Sequence, residues 1–132
     1  MAGDGRAIIL FLEDDEDSRL YIKQSLREGG YRVISADDEE EAVELINFFK
    51  FTPDVILVDL GVRPEEALAV GRSVRERGGL DGELPVIVIT EAGGPETQET
   101  DVKVDGTDYI YTWDEDGQLI GLLERLTSKG GL

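Results

Sequence analysis

Short apolar runs alternate with segments of helical periodicity along the whole chain. Five of the runs predict β-strands, because each is short, rich in Val, Ile or Tyr, and separated from the next by polar or turn residues. The middle runs are almost continuously apolar, which is typical of parallel strands buried on both faces. The predicted strands are Ala7–Leu12, Tyr31–Ala36, Asp54–Leu60, Pro85–Thr90 and Thr107–Thr112.

Between these runs, apolar residues recur every three or four positions, as on one face of an amphipathic helix. The predicted helices are Ser18–Glu28, Asp38–Phe49, a segment from Pro64 to Gly78-Gly79, and a last helix with a stripe from Leu119 to Leu126. Gly, Pro, Thr and Gln give Glu91–Asp105 poor helical propensity. We therefore expect only a short or irregular fourth helix in that segment.

Strict alternation of strands and helices predicts an α/β fold. We expect a flavodoxin-like, doubly wound, five-stranded parallel sheet with strand order 2-1-3-4-5 and helices on both faces. The chain contains no linker or repeat, so we expect one domain over residues 1–132, with a core from about 6 to 126 and a tail at 127–132. In such folds the functional site lies at the carboxyl ends of the strands.

The composition narrows the chemistry that this edge can perform. With 13 basic and 30 acidic residues the net charge is −17, so we expect no direct binding to nucleic acids or to a membrane. Cys and His are both absent, which excludes disulfides, thiolate or imidazole ligands and His-dependent triads. No apolar run approaches the ~20 residues of a membrane span, and no signal peptide is recognisable, so a cytoplasmic location is expected.

Acidic residues stand where the first and third strands end. Glu13 and Asp14 follow the first strand, and Asp59 ends the third. Because strands one and three are neighbours in the predicted order, these carboxylates should lie close together and need a proton or a cation. Mg²⁺ suits such oxygen ligands. The alternative, acids exposed at a helix start, is the one we favour for Asp15–Asp17.

Several segments, in order and at the spacing of the family, resemble the CheY-like receiver domain of response regulators. They are FLEDDEDSR (11–19), GYRVISADDEEEA (30–42), PDVILVDL (53–60), LPVIVIT (84–90) and GTDYIYT (106–112). The resemblance implies two-component signalling, in which a sensor histidine kinase or a phosphotransfer protein is the phosphodonor and a protein output target responds. It implies no enzyme activity beyond catalysis of the domain's own phosphorylation and dephosphorylation.

The resemblance also assigns roles to residues at the predicted site. Asp59 is the phosphoacceptor by this resemblance. Glu13, Asp14, Asp59 and the backbone carbonyl of Gly61 are the ligands of Mg²⁺ or Mn²⁺. Thr90 is the hydroxyl that senses the phosphoryl group.

The resemblance makes Tyr109 the aromatic switch residue on the fifth strand, but it is imperfect next to that residue. The family usually has a Lys at the end of the fifth strand, and Thr112 stands there. Glu91 follows Thr90 where the family has a small residue. A Thr cannot supply the charge of a Lys, so we expect weaker coupling between phosphorylation and the switch.

Two other functions compete with phosphorylation-controlled signalling. The missing Lys, the added Glu91 and the degraded fourth helix favour a phosphorylation-independent pseudo-receiver that acts as a protein-interaction adaptor. Arg63 or Lys103 could instead replace the Lys. An enzyme is disfavoured. A flavodoxin needs hydroxyl and amide donors after the first strand, where this chain has acids. An aspartate-nucleophile phosphatase would have a second acid at Gly61.

Overall fold

The chain folds into a mixed β-sheet with helices on both of its faces. The computed structural model describes residues 7–14, 16–60, 62–91, 101–105, 108–113 and 118–127. In chain order its elements are β1 (Ile8–Glu13), α1 (Glu16–Glu28), β2 (Arg32–Ala36), α2 (Glu39–Phe49), β3 (Val55–Asp59), α3 (Pro64–Arg77), β4 (Val86–Glu91), β5 (Asp101–Asp105), β6 (Asp108–Trp113) and α4 (Gln118–Thr127).

The strands follow the order β2-β1-β3-β4-β6-β5. The pairs β1–β2, β1–β3, β3–β4 and β4–β6 are all parallel. These five parallel strands confirm the predicted order 2-1-3-4-5, with β6 in the fifth place. The carboxyl ends of β1, β3, β4 and β6 therefore share one edge of the sheet.

The prediction of a short or irregular fourth helix over Glu91–Asp105 is wrong for the residues of that segment that the structure describes. Asp101–Asp105 form a strand, antiparallel to β6 at the end of the sheet. Residues 92–100 lie outside the described residues. The physical reason is local: Val102 and Val104 alternate with polar residues, which is the period of a strand, and the β-branched Val favours extended backbone.

Alternate residues of the central strands pack on opposite faces of the sheet. One face is covered by α1 and α4, which contribute Leu26 and Leu122 among others to a core with Ile9, Phe11 and Leu57. The other face is covered by α2 and α3, which pack on the remaining positions of β1, β3 and β4. The prediction of helices on both faces is thus confirmed.

Local sequence signals fix where α2 and α3 begin. Asp38 caps α2 by accepting a hydrogen bond from the backbone N–H of Glu41 at 2.9 Å, and the Glu41 carboxylate accepts one from the N–H of Asp37 at 2.6 Å. This reciprocal arrangement satisfies two N–H groups at the helix start. Pro64 occupies the first turn of α3, where its missing N–H costs nothing.

Polar contacts join the exposed sides of α2 and α3. Arg77 donates to Glu39 at 2.7 Å and to Glu40 at 2.9 Å, and the hydroxyl of Ser73 also donates to Glu39. The Ser73 hydrogen bond, followed by the Arg77 guanidinium, holds the pKa of Glu39 below its ordinary value. Among the described helices, none has the length and apolarity that a membrane span requires.

Candidate functional site

The carboxyl ends of β1 and β3 bring two predicted site residues side by side. Glu13 and Asp59 are register partners in the parallel pairing of these strands. Glu13 is 3% exposed, Asp59 is half-buried, and Asp14, the next residue along the chain, is exposed. This placement follows from the apolar runs before each acid, which bury the strands up to their last residues. It leaves three carboxylates at one edge of the sheet.

The three carboxylates are candidate metal ligands, and both their arrangement and their oxygen chemistry bear on that role. Within the described ranges, no group of three or more Asp or Glu side chains is arranged so that it could hold a metal ion. Glu13, Asp14 and Asp59 therefore do not form a closed ligand set as they stand, and Gly61 lies outside the described residues. Their oxygen chemistry is the kind that a hard divalent cation prefers.

The next two strands of the sheet beyond β3, which are β4 and then β6, carry the other predicted residues. Thr90 of β4 and Thr112 of β6 are register partners near the same edge of the sheet, and Thr90 is half-buried. Tyr109 pairs with Ile87, three positions before Thr112, which is roughly 10 Å along the strand. The ring is partly buried against the core under α1 and α4. The residues predicted to sense and to relay phosphorylation thus lie on adjacent strands.

A buried ionic cluster at the start of β6 was not predicted from the sequence. Asp108 is 3% exposed, and its carboxylate accepts hydrogen bonds from Arg72 Nε at 2.8 Å and from Arg75 Nη1 at 2.9 Å. Arg75 Nη1 also donates to the backbone carbonyl of Leu84 at 2.7 Å. The cluster therefore ties α3 both to β6 and to the segment that leads into β4.

This cluster is adjacent to Tyr109, the predicted switch residue. The sequence holds only a faint signal of it, namely two Arg residues three positions apart on α3. Their partner is 36 and 33 residues away, and no local pattern indicates which acid they bind. Because burying Asp108 without a cation would be costly, its position in the strand depends on both Arg side chains.

Comparison of the sequence with known proteins identifies the family to which it is similar. Residues 9–120 match the family described as "Response regulator receiver domain". The chain is 31% identical over 102 residues to the virulence transcriptional regulatory protein PhoP of Salmonella typhimurium, covering 77% of this chain and 43% of that protein. It is 33% identical over 82 residues to the transcriptional regulatory protein PhoP of Escherichia coli, covering 62% of this chain and 34% of that protein. The chain thus spans less than half the length of these relatives.

Solved structures show the same fold. A Francisella receiver domain, of response regulator 1452, superposes with a TM-score of 0.68 at 22% identity, covering 95% of this chain and 99% of that chain. The receiver domain of the sensor histidine kinase PA1611 from Pseudomonas aeruginosa, which has a magnesium ion coordinated in its active site cleft, superposes with a TM-score of 0.65 at 24% identity. That superposition covers 95% of this chain and 100% of that chain.

Proposed function

This chain belongs to the response regulator receiver family, and we propose from that membership that it accepts a phosphoryl group on Asp59. The observation that carries the proposal is the position of Asp59, which ends β3 directly opposite the buried Glu13. A half-buried carboxylate at the open edge of a parallel sheet is accessible to a phosphodonor and is held by the strand beneath it. The family match indicates two-component signalling as the context.

A divalent cation is part of this proposal. Glu13, Asp14, Asp59 and the carbonyl of Gly61 would hold Mg²⁺ or Mn²⁺, which would offset the negative charge of the phosphoryl group. The magnesium ion of the PA1611 receiver domain supports the choice of metal. The three carboxylates supply hard oxygen donors at one edge of the sheet, as such a cation requires.

Asp59, Thr90 and Tyr109 would each have a separate role in the transfer and in the response to it. A carboxylate oxygen of Asp59 attacks the phosphorus in line, the bond from phosphorus to the donor's nitrogen or oxygen breaks, and an acyl phosphate forms. The hydroxyl of Thr90 donates a hydrogen bond to a phosphoryl oxygen. Its movement opens space for Tyr109, which changes the packing of that side of the sheet.

The partners follow from the same proposal. The phosphodonor would be a sensor histidine kinase or a phosphotransfer protein, and a protein target would recognise the changed surface. Catalysis would be limited to the domain's own phosphorylation and dephosphorylation. A phosphorylation-independent adaptor is the less favoured alternative. It is supported by Thr112 at the position of the family's Lys, by Glu91 after Thr90 and by the poor helical propensity of Glu91–Asp105.

Intact-mass measurement after incubation with acetyl phosphate and Mg²⁺ tests the proposal. The wild type should gain one phosphate, and Asp59→Asn should gain none. Glu76→Gln, which removes one exposed carboxylate near the end of α3, is the matched control and should be phosphorylated like the wild type. Beryllofluoride binding, followed by fluorine NMR, gives a second readout. Failure of the wild type in both assays would leave the adaptor as the better account.

A further inference from the structure

Two aromatic side chains stand exposed at the end of α2, away from the proposed phosphorylation site. Phe48 is 78% and Phe49 is 64% exposed. Their rings pack edge to face, with centroids 4.8 Å apart and an interplanar angle of 89°. Single exposed apolar residues are common on protein surfaces, but two large rings held against each other form a preorganised apolar patch.

The patch continues along α2 as a surface with acidic residues. A shallow hollow of about 660 Å³ is lined by Glu41, Glu44, Leu45, Asn47, Phe48 and Phe49. We name these six residues the α2 surface. The core side of the same helix is formed by other residues, among them Ala42, Val43 and Ile46. Leu45 is partly buried against that core, whereas Phe48 and Phe49 are exposed and are not needed to attach the helix to the sheet.

The position of the surface separates it from the proposed reaction. The helix runs from the carboxyl end of β2 toward the start of β3, so its last turn lies at the amino ends of the strands. Asp59 lies at the opposite edge, at the end of β3. A partner bound over Phe48 and Phe49 would leave the phosphorylation site open.

Charge indicates what kind of partner fits. Glu39 and Glu40 are bound by Arg77, which is the cation of that ion-pair cluster. Glu41 and Glu44 line the hollow beside the Phe rings, and Glu41 also accepts the hydrogen bond from the N–H of Asp37. With a net charge of −17, a second copy of the chain would bring two acidic surfaces together. A positively charged partner gains from the same field, both in affinity and in association rate.

We propose that the α2 surface binds an amphipathic, Lys- or Arg-rich helix of another protein. Its apolar side covers Phe48, Phe49 and Leu45, and its basic side chains meet Glu41 and Glu44. Four of the lining residues, Glu41, Glu44, Leu45 and Phe48, recur at the spacing of one helical face, so a helix laid against α2 can follow them over about two turns. We expect this binding to be independent of phosphorylation, because the two Phe rings at the end of α2 lie at the edge of the sheet opposite Asp59.

A dye-labelled synthetic peptide of Leu and Lys, patterned as an amphipathic helix, is the probe. Fluorescence anisotropy with the full chain should show saturable binding that salt weakens. A peptide of the same composition in scrambled order should bind at least about tenfold more weakly, because charge alone cannot cover the rings. Equal binding of both peptides would overturn the proposal in favour of unspecific attraction.

Matched variants place the binding on the surface. Phe48→Ser with Phe49→Ser should weaken binding of the patterned peptide at least about tenfold. Leu20→Ser with Tyr21→Ser is the control, since these adjacent residues of α1 are similarly exposed, at 64% and 60%. It should change binding less than about twofold. Equal losses in both double variants, or no loss in the first, would overturn the proposal.

The acidic half of the surface is tested separately. Glu41→Gln with Glu44→Gln should reduce the affinity and flatten its salt dependence, and Gln at position 41 can preserve the helix cap. Glu66→Gln with Glu76→Gln, on α3, carries the same change in net charge and should have a smaller effect. If the two double variants behave alike, the partner does not contact Glu41 and Glu44.

Two other occupants would give different results. Sedimentation velocity should show no dimer of the wild type that Phe48→Ser with Phe49→Ser dissociates. Vesicles of phosphatidylcholine should not retain the protein through the two Phe residues. Either result would replace the basic helix by a second copy or by a lipid surface. Asp59→Asn should bind the peptide like the wild type, so this test stands whether or not Asp59 is phosphorylated.

Discussion

The carboxylate of Asp108 is held by both terminal nitrogens of the Arg75 guanidinium, at 2.9 and 3.4 Å, across 33 residues of sequence. The Asp108 side chain is 4% and the Arg75 side chain 14% exposed, so the pair is largely shielded from water. It joins α3, which begins shortly after Asp59, to the strand that carries Tyr109. The link between the two ends of the proposed signalling route is therefore partly an ion pair.

Removing Asp108 should destabilise the fold. Asp108→Ala leaves Arg72 and Arg75 without their shared carboxylate, and truncating one partner of a buried pair typically costs about 3–5 kcal/mol. Because Arg72 is 39% exposed and Arg75 keeps the Leu84 carbonyl, we expect about 2–3 kcal/mol in urea denaturation. Asp81→Ala, at an exposed turn, should cost less than about 1 kcal/mol. Similar losses of unfolding free energy in both variants would show that the buried pair stabilises the fold no more than an exposed carboxylate does.

Much of the fold could be predicted from the sequence, because the relevant signals are local. The apolar runs that end at Glu13 and Asp59 indicate buried parallel strands, and the strand order then places both acids at one edge. The strand Asp101–Asp105 was missed because its alternation is short and follows residues that merely disfavour a helix. The pair of Arg75 and Asp108 was missed because contacts between distant charges leave no periodic pattern. The roles of Thr90 and Tyr109 stay predictions.

Close packing at one glycine gives a prediction about stability. A Cβ added at Gly71 of α3 would lie 2.4 Å from Cγ1 of Val86 and 3.2 Å from Cγ2 of Val58. Gly71→Ala should therefore destabilise the protein by about 1–3 kcal/mol, despite the better helix propensity of Ala. Gly121→Ala in α4 is the control, since its added Cβ would have no neighbour within 4 Å. It should stabilise by up to about 1 kcal/mol in the same thermal or urea assay. Stabilisation by both changes would mean that α3 can move away from β4.

The proposed metal site predicts a thermal shift. Mg²⁺ that binds only the folded protein raises its stability, by about 2.7 kcal/mol at a concentration one hundred times the Kd. Asp14→Asn should abolish most of the rise in melting temperature, because it removes one of the three proposed carboxylate ligands. Asp81→Asn makes the same charge change at the other edge of the sheet and should keep the shift. Loss of the shift in both variants would indicate charge screening rather than a site.

The contact between α2 and α3 predicts a dependence on pH. The pKa of Glu39 is below the ordinary value of 4.5, because Ser73 and Arg77 favour its ionised form. Its contribution to stability is present above the pKa of the unfolded chain and is lost as the pH falls through the lower folded value. Glu39→Gln should therefore flatten the acid limb of a plot of unfolding free energy against pH, below about pH 5. Glu44→Gln, the control on the same helix, should retain that limb, and an identical flattening would assign the effect to net charge.

The switch gives the prediction that depends most on the missing Lys. Thr112 stands opposite Thr90 in the β4–β6 pairing, at the position where the family usually has a Lys. A ligand shifts a two-state equilibrium only by its differential affinity for the two states, and a charge-assisted contact is worth about 2 kcal/mol, or roughly thirtyfold. Beryllofluoride should therefore change the amide NMR shifts around Thr90, Tyr109 and Leu119 only slightly, and Thr112→Lys should enlarge the change. Thr52→Lys, which adds the same charge near the amino end of β3, should leave the response small. A large, saturating response of the wild type that Thr112→Lys does not increase would mean that another cation, such as Arg63 or Lys103, already replaces the Lys.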